Sequence, residues 1–267
     1  MRPVVTMYDL AALEATLAGT IFAGKLHFFA ITGSTNTDAM EAARAGAPHG
    51  AVFFADAQSA GRGRGGHRWQ SDAGQGLYVS VLLRNGLEAR KLPLLPLAAG
   101  LAAADAIRRA SALEVDLRWP NDLLIGEKKA GGILVESKIE GAASAYEVVG
   151  IGINVHQREF DAGLATPATS LDMESGGTIG RQTLLIALLE SLEREANGLL
   201  EADAGETIPA RVERSSTWVR GRMVEVHGPQ ACTGVTAGLD ENGFLLVKTA
   251  DGMVTVQTGG VRAAKAG

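Results

Sequence analysis

Residues 61–69 hold the densest group of side chains that could do chemistry, and they read Gly-Arg-Gly-Arg-Gly-Gly-His-Arg-Trp. Glycine lets a backbone come close to a ligand with its N–H groups exposed, and arginine donates paired hydrogen bonds to a phosphate or a carboxylate. The spacing fits neither a Walker phosphate loop nor a Rossmann fingerprint. This segment, the glycine–arginine loop below, predicts an anion-binding loop that ends in a tryptophan able to stack on a planar base. A flexible solvated loop and an RNA-binding patch are the alternatives.

A second group of such residues lies in residues 118–136. Pro120 ends a strand, so that Asn121 and Asp122 stand at its edge, where they can accept from an amine or hold Mg²⁺ together with phosphates. Lys129 directly precedes an apolar strand, a position from which its ammonium can neutralise charge that develops on a phosphate. A plain β-hairpin with surface lysines accounts for the composition equally well.

Two shorter segments complete the candidates. Residues 33–36, Gly-Ser-Thr-Asn, open a predicted helix, and helix amino termini bind anions while hydroxyls bond polar rings. An ordinary helix cap is the alternative. Residues 150–154, Gly-Ile-Gly-Ile-Asn, place two glycines in a strand, which indicates close approach of a ligand or of a neighbouring strand. Packing alone would explain them as well.

Composition places these motifs in a folded globular chain. Of the 267 residues, 46% are hydrophobic and 21% charged, which argues against intrinsic disorder. We find no run of roughly 18 apolar residues and no signal-peptide pattern, so we expect no membrane span and a cytoplasmic location. One cysteine excludes an intrachain disulfide, the histidines lack metal-site spacing, and a net charge of −5 argues against nucleic acid as a partner.

The elements that must position the motifs can be read from hydrophobic periodicity. Strands are predicted over 26–31, 51–55, 76–83, 115–119, 123–125, 132–137 and 147–154. Helices are predicted over 8–17, 37–45, 94–110, 183–200 and 209–218, and 157–180 is predicted to be a loop. Four short β runs with turn signals, at 223–227, 233–239, 243–247 and 253–257, predict a small SH3-like barrel. The predicted domains are therefore 1–219 and 220–267.

In this order and spacing, the motifs resemble those of the biotin–protein ligases. The matching residues are Ser34-Thr35-Asn36, Gln58, the glycine–arginine loop and residues 119–122, 129–136 and 150–154. The resemblance runs from about Leu26 to the carboxyl terminus. It implies an α+β fold in which a mixed β-sheet with flanking helices, similar to the class II tRNA synthetase core, precedes the SH3-like barrel.

The resemblance also implies a reaction and its partners. Biotin, the substrate, would be activated by ATP to biotinyl-5′-AMP, with Mg²⁺ carried by the ATP and no metal site of the protein's own. The biotin would then pass to a lysine of a biotin carboxyl carrier protein, an acetyl-CoA carboxylase subunit. A homodimer is possible. The family's repressors carry an amino-terminal DNA-binding domain much longer than residues 1–25, so we expect a stand-alone ligase that binds no DNA.

Roles for individual residues follow from the same resemblance. Biotin would be bound by Ser34, Thr35, Asn36, Gln58, Arg62, Gly63, Arg64, Lys129, Gly131, Gly132 and Ile133. The nucleotide would be bound by Arg62, Trp69, Asn121, Lys129 and Asn154. Among the catalytic residues, Lys129 would supply positive charge, Arg64 would close over the adenylate, and Asp122 would orient or deprotonate the incoming lysine.

Three positions depart from the family pattern. Arg118 replaces the usual lysine before residues 119–122, and Gly65 and His67 stand where arginines are common. A histidine carries charge only at lower pH, which bears on adenylate retention.

Two other functions are alternatives. One is a lipoate or octanoate ligase of the same fold, which would lack this loop. The other is a non-catalytic biotin-binding regulator, against which Lys129 and Arg64 argue.

Overall fold

The computed structural model describes residues 8–201 and 205–264. Within them the chain forms one β-sheet of seven strands and one of five. Residues 1–7 and 265–267, which belong to the predicted domains 1–219 and 220–267, lie outside the described residues.

The seven-stranded sheet is mixed, as predicted. Its strands are β1 (Leu26–Thr32), β2 (Ala51–Gln58), β3 (Gly76–Leu83), β4 (Asp116–Arg118), β5 (Asp122–Ile125), β6 (Lys128–Glu140) and β7 (Ala143–Asn154). The spatial order is β1-β2-β3-β7-β6-β5-β4; β1 and β2 are parallel, and the other neighbours are antiparallel. Strand β6 begins earlier than predicted, so that Lys129 lies inside it rather than before it.

Helices cover both faces of this sheet. Successive side chains of a strand point to opposite faces, so apolar side chains on both faces need a covering layer. The helices are α1 (Leu10–Thr16), α2 (Thr35–Arg44), α3 (Leu95–Ser111), α4 (Leu171–Ser175), α5 (Arg181–Gly198) and α6 (Ile208–Ser215). Val52 and Phe54 of β2 belong to the main core, to which α3 and α5 contribute, while Phe53 packs with Ala39 and Ala43 of α2 in a smaller cluster. No helix among the described residues has the length and apolarity needed to cross a bilayer.

The five predicted helices are present with ends shifted by one to three residues, and a sixth, α4, was not predicted. Helix α4 lies inside the segment 157–180, predicted as loop, and begins where Ser170 Oγ accepts from the Met173 N–H. Helix α2 begins at Thr35, and Ser34 at its N-cap position makes no side-chain capping hydrogen bond. The alternative of an ordinary helix cap therefore does not apply to the Ser34 side chain.

The second sheet is antiparallel throughout and fits the SH3-like prediction. It consists of β8 (Arg220–His227), β9 (Cys232–Leu239), β10 (Leu245–Thr249), β11 (Gly252–Val256) and β12 (Gly260–Ala263). Strand β12 was not predicted, because its four residues bury only Val261 and show no alternation. The domain boundary at 219/220 stays a prediction, since contacts such as Trp119 Nε1 to the Gly243 carbonyl (2.9 Å) join the two sheets.

Candidate active site

A cavity of ≈480 Å³, open mouth included, lies at the amino-terminal end of α2. Twelve of the predicted site residues line it: Ser34, Thr35, Asn36, Gln58, Arg62, Gly63, Arg64, Trp69, Asn121, Lys129, Gly132 and Ile133. The structure thus brings together four segments that are far apart in sequence. Gly131, Asp122 and Asn154 do not line the cavity.

One end of the cavity is a neutral polar cradle. Gln58 Oε1 accepts from the backbone N–H of Thr35 (2.9 Å) and from its hydroxyl (3.2 Å), and Gln58 Nε2 donates to Ser71 Oγ (2.8 Å). These bonds fix the orientation of the Gln58 amide. Ser34, Thr35 and Asn36 are each less than 5% exposed. Such a cradle offers preorganised donors and acceptors to an uncharged polar ring.

The two glycines of β7 make room for side chains of the site itself. A Cβ on Gly150 would lie 1.9 Å from Asn36 Oδ1, and one on Gly152 would lie 2.6 Å from Trp69 Nε1. Asn36 is further anchored because Ser80 Oγ donates to its Oδ1 (2.6 Å). The close approach indicated by the glycine spacing therefore comes from Asn36 and Trp69, rather than from a neighbouring strand.

Trp69 lines the cavity next to Lys129. Its indole Nε1 is buried and has no hydrogen-bond partner among the described residues, although its ring lies in the cavity lining. Lys129 Nζ lies 5.6 Å from the centroid of the Trp69 ring, a cation–π distance. A buried donor without a partner is rare in folded proteins, and this nitrogen lies against β7, where a Cβ on Gly152 would be 2.6 Å from it.

The cationic end is built on an ion pair. Lys129 Nζ lies 2.5 Å from Asp122 Oδ1, and Arg118 Nη2 lies 2.6 Å from Asp122 Oδ2. Burial on its own would raise the pKa of the Asp122 carboxyl, but the Lys129 ammonium and the Arg118 guanidinium outweigh it and hold that pKa below its usual range. A carboxylate with a lowered pKa is a weak base. The geometry therefore argues against deprotonation by Asp122, and its contacts are to Lys129 and Arg118 rather than to the cavity.

The glycine–arginine loop lies folded against the rest of the molecule. Arg62 forms an ion pair with Glu136, and Arg64 donates to Thr258 Oγ1 (2.9 Å) and to the Gly259 carbonyl of the second sheet segment. Burial lowers the pKa of the Arg64 guanidinium, while the Asp122 carboxylate opposes that shift. The loop thus places arginines at the cavity, and the sequence held no signal for their partners.

The structure shows the surroundings of two residues that depart from the family pattern, Gly65 and His67. Gly65 lies in the short 3₁₀ turn Arg64–Gly66 with φ +66°, a left-handed conformation that arginine adopts with strain. His67 is exposed at the outer edge of the loop. A glycine at position 65 therefore suits the backbone conformation of this loop.

The two asparagines of the predicted nucleotide site differ in placement. Asn121 Nδ2 donates to the Ile133 carbonyl (2.7 Å) and lines the cavity. Asn154 Nδ2 donates to the Thr169 carbonyl (2.9 Å) and so anchors the segment before α4. The role of Asn154 toward the nucleotide stays a prediction that the geometry does not support. Gly131 packs against β7, since a Cβ there would lie 2.8 Å from the Gly152 carbonyl oxygen.

A synthetase-like mixed sheet that carries a polar cradle, a lysine and an arginine loop on one cavity defines a nucleotide-dependent ligase. Comparisons with known proteins agree. Residues 28–154 match the Biotin/lipoate A/B protein ligase family, and residues 221–261 match the Biotin protein ligase C terminal domain.

Individual relatives cover most of the chain. The biotin--[acetyl-CoA-carboxylase] ligase of Mycobacterium tuberculosis is 34% identical over 255 residues, 89% of this chain and 88% of the relative. A bifunctional ligase/repressor of Bacillus subtilis is 33% identical over 225 residues, 84% of this chain and 69% of the relative. The solved biotin protein ligase from Aquifex aeolicus in complex with biotin and ATP superposes with a TM-score of 0.76 and 30% identity, covering 90% of this chain and 98% of that one. The chain belongs to the biotin–protein ligases of this family.

Proposed function

We propose that the chain activates biotin with ATP and transfers it to a lysine of a biotin carboxyl carrier domain. The observation that carries this is one cavity lined both by the polar side chains of Ser34, Thr35 and Gln58 and by the cations Lys129 and Arg64. An uncharged ureido ring suits the cradle, and a carboxylate beside a phosphate suits the cations. The similar Aquifex aeolicus ligase was solved with biotin and ATP, which supports the assignment.

In the first half-reaction, a carboxylate oxygen of biotin forms a bond to the α-phosphorus of ATP, and pyrophosphate leaves. Both groups are negative, so the site must offset their repulsion. Lys129 and Arg64 supply positive charge at the cavity, which Arg62 also lines while paired with Glu136. ATP would enter with its Mg²⁺, held through its phosphates.

In the second half-reaction, the amine of the acceptor lysine forms an amide bond with the biotinyl carbonyl, and AMP leaves. The amine must lose a proton. Asp122 is anionic and committed to Lys129 and Arg118, so it would hold the cationic end in place while solvent or the departing phosphate takes that proton. Ser34 and Thr35 with Gln58 would keep the ureido ring in the cradle meanwhile.

The acceptor class follows from the relatives. Those of Mycobacterium tuberculosis and Paracoccus denitrificans are named biotin--[acetyl-CoA-carboxylase] ligases, so we infer a carrier subunit of acetyl-CoA carboxylase as the partner. A homodimer, the lack of DNA binding and a cytoplasmic location stay predictions.

The experiment is a biotin-dependent exchange of labelled pyrophosphate into ATP, followed by intact-mass measurement of a carrier domain. We expect exchange with biotin, none with lipoate or octanoate, and one added biotin mass per carrier domain. A carrier domain whose target lysine is replaced by arginine is the control. Exchange with lipoate instead of biotin would establish the alternative ligase, and no exchange by the folded chain with any of the acids would overturn ligase function.

A further inference from the structure

Arg118 lies at the end of β4 and does not line the cavity, yet it is only 7% exposed. Its Cα partner across the β4–β5 hairpin is Asp122. Its Nε and Nη2 donate to Asp122 Oδ2 at 3.1 and 2.6 Å, and Nη2 also donates to Thr166 Oγ1 at 3.0 Å. Arg118 therefore acts on the site only through other residues.

Asp122 divides its two oxygens between two cations. Oδ2 accepts from Arg118, and Oδ1 lies 2.5 Å from Lys129 Nζ. Two cations and one carboxylate leave one positive charge in this cluster. If Arg118 were neutral, Lys129 and Asp122 would form a closed neutral pair, and the lysine would have little charge to offer a phosphate.

We propose that Arg118 is a positioning residue: it neutralises Asp122 and so keeps the positive charge of Lys129 available to the ATP phosphates. This inference rests on the proposed function, since it assigns a role in ATP activation.

The geometry also explains why an arginine suits this position. The guanidinium presents several donors in one plane, and here it bonds Asp122 and Thr166 while its Cζ lies 5.1 Å from the centroid of the Trp218 ring. A lysine has one nitrogen and no plane to stack. The charge balance needs only a cation at position 118, whereas the fixed geometry needs the guanidinium. The two contributions can therefore be separated by substitution.

The test uses the full chain and biotin-dependent pyrophosphate exchange, which reports the first half-reaction alone. For Arg118→Met we expect the KM for ATP to rise about tenfold, because a neighbouring unit charge is lost. Biotin binding without ATP, measured by calorimetry, should stay at the wild-type value, since the polar cradle is untouched. Arg118→Lys should restore most of the ATP affinity. Arg118→Gln keeps a donor for Asp122, which favours folding, and should behave like Arg118→Met.

The decisive variant is the double substitution Arg118→Met with Asp122→Asn. Removing both charges returns the cluster to one positive charge, so the double variant should recover most of the ATP affinity that Arg118→Met loses. A double variant no better than Arg118→Met would overturn the proposal, and so would a parallel loss of biotin binding. Wild-type chain that exchanges no pyrophosphate would instead refute the proposed function, so the two failures are distinguishable.

Discussion

Arg64 of the glycine–arginine loop donates to Thr258 Oγ1, a residue 194 positions away, at a distance of 2.9 Å. The same guanidinium donates to the Gly259 carbonyl. The loop that covers the cavity is therefore joined to the carboxyl-terminal sheet segment by an arginine that also lines the cavity. Loop position and carboxyl-terminal packing are coupled through this side chain.

Arg64→Gly should let activated biotin escape. The substitution removes a guanidinium at the cavity mouth and both contacts to the carboxyl-terminal segment, so we expect the adenylate to dissociate about 10-fold to 100-fold faster. Release of labelled biotinyl-5′-AMP and biotinylation of an unrelated lysine-rich protein measure this. Arg68→Gly is the matched control, because Arg68 belongs to the same loop but is exposed, and within the described part of the chain its side chain donates to the Ser59 carbonyl alone. Loss of all activity without leakage would contradict the closing role.

Lys129→Ala should abolish most of the adenylation step. Lys129 lines the cavity, and its ammonium is held by Asp122 where charge develops on the phosphate, so we expect a loss of more than about 100-fold. Biotin-dependent pyrophosphate exchange measures it. Lys128→Ala is the control, because its side chain is about half exposed and pairs with Glu174. Exchange within a few-fold of wild type in Lys129→Ala would show that the lysine does not act on the phosphate.

The strands that carry the site could be predicted because their apolar runs are long and bounded by turn residues. The motif residues Gln58 and Lys129 lie at or near strand ends, so the sheet order brings them together. Helix α3 was predictable too, since it is apolar nearly all round, as a helix buried against a sheet must be.

The hydrogen-bond partners of the polar and charged site residues could not be predicted, because these partners lie in segments without hydrophobic periodicity. Thr166, which accepts from Arg118, and Thr169, whose carbonyl accepts from Asn154, lie in a stretch that the sequence predicts as loop. Thr258 lies between two short strands of the second sheet. Contacts of this kind depend on tertiary packing, and no local spacing encodes them.

Gly152→Ala should displace the wall of the cavity. A Cβ at this position would lie 2.6 Å from Trp69 Nε1, so the indole must move. We expect biotin affinity to fall at least about tenfold, as overpacking commonly costs 1–3 kcal/mol, with a shift in tryptophan fluorescence. Gly198→Ala is the control, since no atom of the described residues outside the backbone of α5 lies within 4 Å of its Cβ position. Unchanged biotin binding by calorimetry in Gly152→Ala would show that Trp69 does not shape the biotin site.

Glu147 should make stability depend on pH. It lies in β7 with no exposed surface, Ser144 donates to its Oε1, and Oε2 has no partner. Burial raises the pKa of the Glu147 carboxyl above 4.5, with the Ser144 hydrogen bond opposing the shift. A raised pKa means that the protonated form favours folding below pH 4.5 and that this contribution is lost as pH rises through the folded-state pKa.

Glu147→Gln removes that titration, so the free energy of unfolding of the variant, relative to wild type, should increase as pH rises from 4.5 to 8. Urea unfolding at several pH values measures the difference. Glu114→Gln, which removes an exposed carboxylate, controls for net charge. A difference between Glu147→Gln and wild type that stays constant with pH would mean that Glu147 titrates alike in the folded and unfolded chain. The carboxyl would then have to reach solvent, or a partner for Oε2, in the folded protein.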